Sequence, residues 1–116
     1  MSTIARLHPG TRMSQAVTHG GLLYTAGQVD SQAVDVAGQT KNILAKIDAL
    51  LAEGGTTRSR LLSANIWLAD IASFDAMNEV WEQWIDLSHP PVRATVESKL
   101  AGPEYRVEIS VVAALA

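Results

Sequence analysis

The stretch Pro90-Pro91-Val92-Arg93-Ala94-Thr95-Val96-Glu97, with the later run Tyr105-Arg106-Val107-Glu108-Ile109-Ser110-Val111, decides how this chain folds. Two prolines end whatever precedes the first run. Strand side chains alternate with period two, so Val92, Ala94 and Val96 take one face and Arg93, Thr95 and Glu97 the other. In the second run Val107, Ile109 and Val111 oppose Arg106, Glu108 and Ser110. If the two strands are neighbours, a guanidinium, a hydroxyl and a carboxylate share one sheet face. Such a set can hold a small carboxylate and move a proton beside it. A cross-strand ion pair, worth little when exposed, is the plainer reading of the same residues.

Working outward, Gly20-Gly21 separates Ala16-Val17-Thr18-His19 from Leu22-Leu23-Tyr24-Thr25-Ala26, the signature of a tight hairpin whose turn needs positive φ. Gly27 breaks the second strand and permits a close approach of backbone to a ligand or another strand. From Asp35 to Glu53, Val36, Thr40, Ile43, Leu44, Ile47, Leu50 and Leu51 recur at three and four, which predicts an amphipathic helix stopped by Gly54-Gly55. Leu61 to Ala69 reads as a central strand wetted on neither side, with Leu62, Ala64, Ile66 and Leu68 on one face. Asp70 and Ser73 suit a helix start. Phe74, Met77, Trp81, Trp84 and Ile85 continue at helical spacing until Pro90, an aromatic stripe that suits core better than a ligand platform.

The expected order is strand, hairpin, helix, strand, helix, strand, strand. It implies a single α+β domain over residues 1–116, a sandwich with one sheet and both helices on one face. Helices then leave the other face bare. Leu23, Trp67 and Val112 are expected there, and a broad apolar face of this kind marks an interface. A closed ring of copies would cover it and place Arg93 and Glu108 near a subunit boundary.

Composition narrows the function classes. With 116 residues, 47% hydrophobic and 18% charged, the chain is long and apolar enough for one buried core. It contains no cysteine, which removes disulfides, thiolate nucleophiles and sulfur-based zinc sites. No apolar run approaches a membrane span and the N-terminus does not read as a signal peptide, so a cytoplasmic protein with no membrane partner is expected. A net charge of −3 gives no general attraction to nucleic acid. His8, His19 and His89 are scattered in expected loops and turns without metal-binding spacing. No Gly-x-Ser-x-Gly, phosphate loop or Gly-x-Gly-x-x-Gly occurs. Any catalysis is therefore expected to need no cofactor and no metal.

Taken in order, several segments resemble the RidA (YjgF, reactive intermediate deaminase) family over nearly the full length. They are Gly21-Leu22-Leu23-Tyr24-Thr25-Ala26-Gly27-Gln28, Gln39-Thr40, Leu50-Leu51-Ala52-Glu53-Gly54-Gly55, Trp67-Leu68-Ala69-Asp70, Phe74-Asp75-Ala76-Met77-Asn78, Pro91-Val92-Arg93-Ala94-Thr95-Val96 and Val107-Glu108-Ile109. The resemblance implies a chorismate-mutase-like fold and a homotrimer whose sheets form a central barrel, with three clefts between subunits. It also implies hydrolysis of reactive enamines and imines, such as 2-aminoacrylate, to a 2-keto acid and ammonia. By the same resemblance Arg93 clamps the substrate carboxylate and Glu108 assists the attacking water. Asn78, Thr95 and the backbone around Ala26 and Gly27 border the cleft.

Departures fall on the pocket wall. Arg12-Met13-Ser14 stands where better-studied members carry a tyrosine near a Gly-Pro-Tyr segment. Ala26 replaces a common serine and Thr95 a common cysteine. Arg12, Met13 and Ser14 are accordingly candidates for substrate contact, with Arg12 able to supply a second anionic contact or simply to stand in solvent. Two rivals accompany deamination: a non-catalytic small-carboxylate binder or regulatory protein of the same fold, and a ribonucleolytic or translation-inhibiting activity.

Overall fold

Gly20 and Gly21 take φ of 60° and 80°, the left-handed conformation that fits a two-residue turn to the twist of its flanking strands. The expected hairpin follows. In this computed structural model, which describes residues 3–116, β1 (Ala5–Leu7) pairs with β2 (Ala16–His19), and β2 turns back into β3 (Leu22–Thr25), all antiparallel. Helix α1 (Val36–Glu53) starts where Asp35 accepts a hydrogen bond from the Gly38 amide at 2.9 Å, satisfying one of the orphan donors of a helix start. All seven stripe residues, Val36 through Leu51, are buried. Gly55 supplies the positive φ of 84° after the helix. Gly54 is glycine for a different reason: a Cβ there would run into Leu23 Cδ1.

β4 (Leu61–Leu68) leads through one 3₁₀ turn, Ile71–Ser73, into α2 (Phe74–Trp84). The turn is capped by Asp70, which accepts from the Ala72 amide at 2.9 Å. Helix α2 stops well short of Pro90. Ile85 turns extended at ψ 148°, and Asp86 then builds its own turn, accepting from Ser88 N and from His89 Nδ1, each at 3.0 Å. Such local side-chain turns compete with helix continuation. β5 (Val92–Glu97) and β6 (Val107–Ala114) complete the chain.

The six strands form one sheet in the order β1-β2-β3-β6-β4-β5. β5 runs parallel to β4 and every other pairing is antiparallel. Both helices cover one face. There Leu23, Ile66, Leu68, Val107, Ile109 and Ala113 are sealed against Ile43, Leu44, Ile47, Leu51 and Met77. This α+β architecture, one mixed sheet with two helices, is the one expected.

Four expectations fail in detail. β5 and β6 are not neighbours, because β4 lies between them. Arg93 and Thr95 pair with Ala64 and Ile66, the core-facing residues of β4, whereas Glu108 pairs with Trp67. Arg93 and Thr95 therefore point to the helix face and Glu108 to the bare one. Leu23 is buried on the helix face rather than the bare face. Finally, a bulge between Leu61 and Ser63 turns Leu62 outward, and Asn65 is exposed, so β4 is not dry on both sides. The bare face does carry Trp67 and Val112, joined by Tyr24, Val92, Ala94 and Val96, with Val92 72% and Val96 49% exposed.

Candidate functional site

Arg93 sits on the edge strand and reaches over the flank of α2. Its Nη1 donates to Asn78 Oδ1 at 2.7 Å, and its guanidinium carbon lies 5.7 Å from the centre of the Phe74 ring and 5.5 Å from that of Trp81. Phe74, Asn78 and Trp81 stand four and then three residues apart, so α2 presents all three on one stripe. Burial lowers the Arg93 pKa and the charge of Glu82 partly restores it; the group stays cationic at any working pH. Among the described residues Asn78 alone accepts a hydrogen bond from it, so most of its five donors have no hydrogen-bond partner there. Two residues along β5, the Thr95 hydroxyl oxygen is buried with no hydrogen-bond partner.

A second cluster lies on the bare face. The β3–β6 ladder runs from Leu22 to Tyr24 and resumes as a single bridge between Gln28 and Ile109. In the gap Thr25 Oγ1 accepts from Val111 N at 3.0 Å, and the chain bows out at Ala26-Gly27. The Glu108 side chain fills the space a Gly27 side chain would need, its Cδ 2.8 Å from where that Cβ would lie. This is the close approach the sequence suggested for Gly27, made by a carboxylate of the neighbouring strand.

The loop before β2 is tied to the same cluster. Gln28 Nε2 donates to Gln15 Oε1 at 3.0 Å and to Ala26 O at 3.2 Å, while Ala26 N donates to Gln15 O at 2.8 Å. Gln15 is thereby held beside Ala26, with the half-buried Ser14 before it in the chain, and Met13, 48% exposed, and Arg12 are open to solvent. Gln28 stood out in the sequence only as the end of a family-like segment, although its place after the Gly27 break could have marked it; Gln15 did not stand out, and no local signal marks it.

The candidate residues thus assemble as two half-sites. Arg93, Thr95 and Asn78 form one; Glu108, Ala26, Gly27 and the Ser14 loop form the other. Within one protomer they cannot act on the same small molecule. They are two strands apart, roughly 10 Å at ordinary strand spacing, and project to opposite faces. Phe74 and Trp81, read in the sequence as core alone, prove to flank the arginine as well. The histidines have separate partners: His8 pairs with Glu53 at 2.8 Å, His19 approaches Thr3 O at 3.4 Å, and His89 pairs with Asp86 at 3.0 Å. Among the described residues no three His, Asp or Glu side chains cluster as metal ligands, and no helix is long and apolar enough to cross a membrane.

One mixed sheet with two helices on one face, an arginine at its edge and a glutamate on its opposite face define a class that comparison with known proteins makes specific. Residues 3–115 match the sequence profile of the family described as endoribonuclease L-PSP. A RutC family protein of Haemophilus influenzae is 43% identical over 113 residues, covering 96% of this chain and 97% of that one. The RutC family protein YoaB of Escherichia coli K12 is also 43% identical over 113 residues, covering 97% and 99%. Among solved structures, a YjgF-family protein from Neisseria meningitidis superposes with a TM-score of 0.97 at 38% identity, covering 98% of this chain and 96% of its own. The chain belongs to this L-PSP family, whose members also go by RutC, YjgF and RidA.

Proposed function

We propose that the protein is a cofactor-independent hydrolase of reactive 2-imino acids and their enamine tautomers, of the 2-aminoacrylate and 2-iminopropionate type. It releases the 2-keto acid and ammonia, and works as a homotrimer with its sites between copies. The observation that carries this reading is Arg93, fixed by Asn78 yet with most of its donors unengaged. A planar fork of that kind suits a carboxylate bound through two parallel hydrogen bonds. The separation of the half-sites supports the assembly: Arg93, on the helix side of the β5 edge in one copy, would meet Glu108 where that edge packs against the bare face of another copy.

In this mechanism Arg93 pairs with the substrate carboxylate and fixes the adjacent C=N carbon. Glu108 takes a proton from water as the water oxygen bonds to that carbon and the C=N π pair moves to nitrogen, which receives that proton to give a carbinolamine. Glu108 then takes the hydroxyl proton as the C=O bond forms and the C–N bond breaks, and that proton leaves on nitrogen as ammonia. Thr95 stands beside Arg93 on the same strand face and contributes its backbone, its Oγ1 being buried and without a partner among the described residues. An imine is already electrophilic, so positioning supplies most of what is needed. RNA cleavage, which the family's description names, has less support: the histidines are engaged separately and the net charge is −3.

The test generates 2-iminopropionate in situ from alanine with an amino-acid oxidase and follows its loss. Wild type accelerates the loss; Arg93→Ala lowers turnover about 100-fold, as expected for removing two charge-assisted hydrogen bonds. Arg93→Lys keeps the charge but not the fork, and falls between them. Undiminished turnover in Arg93→Ala and Arg93→Lys refutes the clamp. Tight keto-acid binding by wild type without acceleration favours the non-catalytic binding protein instead. Sedimentation equilibrium at three protomer masses supports the assembly, and a monomer refutes it.

A further inference from the structure

We infer that Phe74 and Trp81 are positioning residues for Arg93, holding the guanidinium between aromatic faces so that only its outward edge is open to a ligand. The argument starts from what an arginine on an edge strand would otherwise do. Its long side chain has many rotamers, and among the described residues β5 has no neighbouring strand on its outer side. Three contacts remove that freedom, and all come from one stripe of α2. Asn78 takes one N–H at 2.7 Å, and the two rings stand 5.7 Å and 5.5 Å away from the guanidinium carbon. The rings attract the cation electrostatically yet accept no conventional hydrogen bond, so they orient it without consuming its donors.

The two aromatics are not equivalent. Trp81 is 7% exposed and also packs on Trp84 with centroids 5.5 Å apart, so core packing explains part of its presence. Phe74 is 39% exposed at the first turn of α2. Nothing in the core requires a large ring there; its contact with Arg93 is the one that accounts for it. Glu82 adds a carboxylate whose field acts on the same guanidinium, one turn beyond Asn78. The consequence for ligand binding rests on the carboxylate-clamp reading above, whereas the orientation of Arg93 does not.

Two measurements separate them. The first is hydrogen exchange of the Arg93 Nε proton by ¹⁵N NMR on the ligand-free protein. The second is binding of pyruvate as a 2-keto acid probe, together with KM and kcat for 2-iminopropionate. Phe74→Leu keeps apolar bulk but loses the π face; it speeds Nε exchange and raises the pyruvate Kd and the KM by about 5-fold each, leaving kcat within about 2-fold. Trp81→Leu does the same, and Trp81→Phe, which retains a ring, restores values within about 2-fold of wild type. Because Phe74 is half-exposed, its variant keeps the wild-type melting temperature. Unchanged Nε exchange in Phe74→Leu overturns the inference, whatever the ligand data show. Faster exchange with unchanged KM in an active enzyme overturns the link to binding. Faster exchange in a protein whose wild type neither binds pyruvate nor hydrolyses the imine upholds the positioning role and refutes the clamp.

Discussion

Replacing Gly27 by alanine tests the Glu108 half-site more sharply than replacing Glu108 itself. The added methyl would meet Glu108, with Cδ at 2.8 Å and Cγ at 3.1 Å. To reach ordinary contact at 3.4 Å, the Cδ atom must retreat by about 0.6 Å, and its nearer oxygen by more. The obstacle is the end of a flexible side chain, so the strain falls on a Glu108 rotamer and costs about 1 kcal/mol. Gly27 is not among the positive-φ glycines. Alanine there therefore returns about 0.4–1 kcal/mol by restricting the unfolded chain. The two effects nearly cancel, and the melting temperature should stay within about 4 °C. Catalysis is less forgiving, because a carboxylate displaced on the ångström scale costs about 100-fold in turnover. Imine hydrolysis and thermal unfolding, measured on the same samples, give the comparison. Adding Glu108→Asp shortens the side chain and relieves the clash, so the Gly27→Ala effect should shrink in that background. Wild-type turnover in Gly27→Ala would refute the placement of Glu108 at the reacting centre. A loss of turnover matched by a large loss of stability would refute the energetic reasoning.

Two predictions concern the frame around the site. Gln39 is fully buried and donates to Ala33 O at 3.0 Å and Glu104 O at 2.9 Å while accepting from Arg106 N at 2.8 Å. Gln39→Leu strands all three groups and should cost about 4 kcal/mol by urea denaturation, with a loss under about 1 kcal/mol contradicting the role. Asp30 is nearly buried, which by itself would raise its pKa. Hydrogen bonds from Ala33, Asn42 and Gln32 and the Lys46 charge outweigh that and leave the pKa lowered. Its stabilising contribution is therefore full above the ordinary carboxylate range and is lost as pH falls through the lowered value. Asp30→Ala should cost about 2 kcal/mol at neutral pH and flatten the acid limb of the stability profile, and an unchanged limb would refute the assignment.

Local patterns were legible wherever they concern near neighbours along the chain. Gly20-Gly21 announced its hairpin, and the spacing from Val36 to Leu51 gave seven of the eight buried residues of α1, missing only the polar Gln39. Gly27 signalled a close approach that does occur. What the pattern does not carry is the identity of a face. Period two says that Arg93 and Thr95 project together, but it is the same pattern whichever side they take. Their side was set by β4, which enters between β5 and β6 and pairs Arg93 with Ala64. Leu62 was misplaced for a related reason: one bulge resets the alternation without changing composition. The end of α2 was overrun because Pro90 is a conspicuous stop, whereas the Asp86 turn that comes first is written in ordinary polar residues. Arg93, Asn78 and Thr95 were all named from the sequence. Phe74 and Trp81 beside them were not, since a helical aromatic stripe reads as core until the strand it faces is known.

The position of β6 bears on how this protein comes off the ribosome. It follows the five other described strands along the chain, yet it lies between β3 and β4 and joins the β2–β3 hairpin to the parallel pair β4–β5. Until residues 107–114 emerge, the nascent chain holds two strand groups with raw edges and no common partner. Those edges are the kind that recruit other chains. Among the described strands the sheet is complete only once β6 has inserted, and the two groups keep their open edges until then.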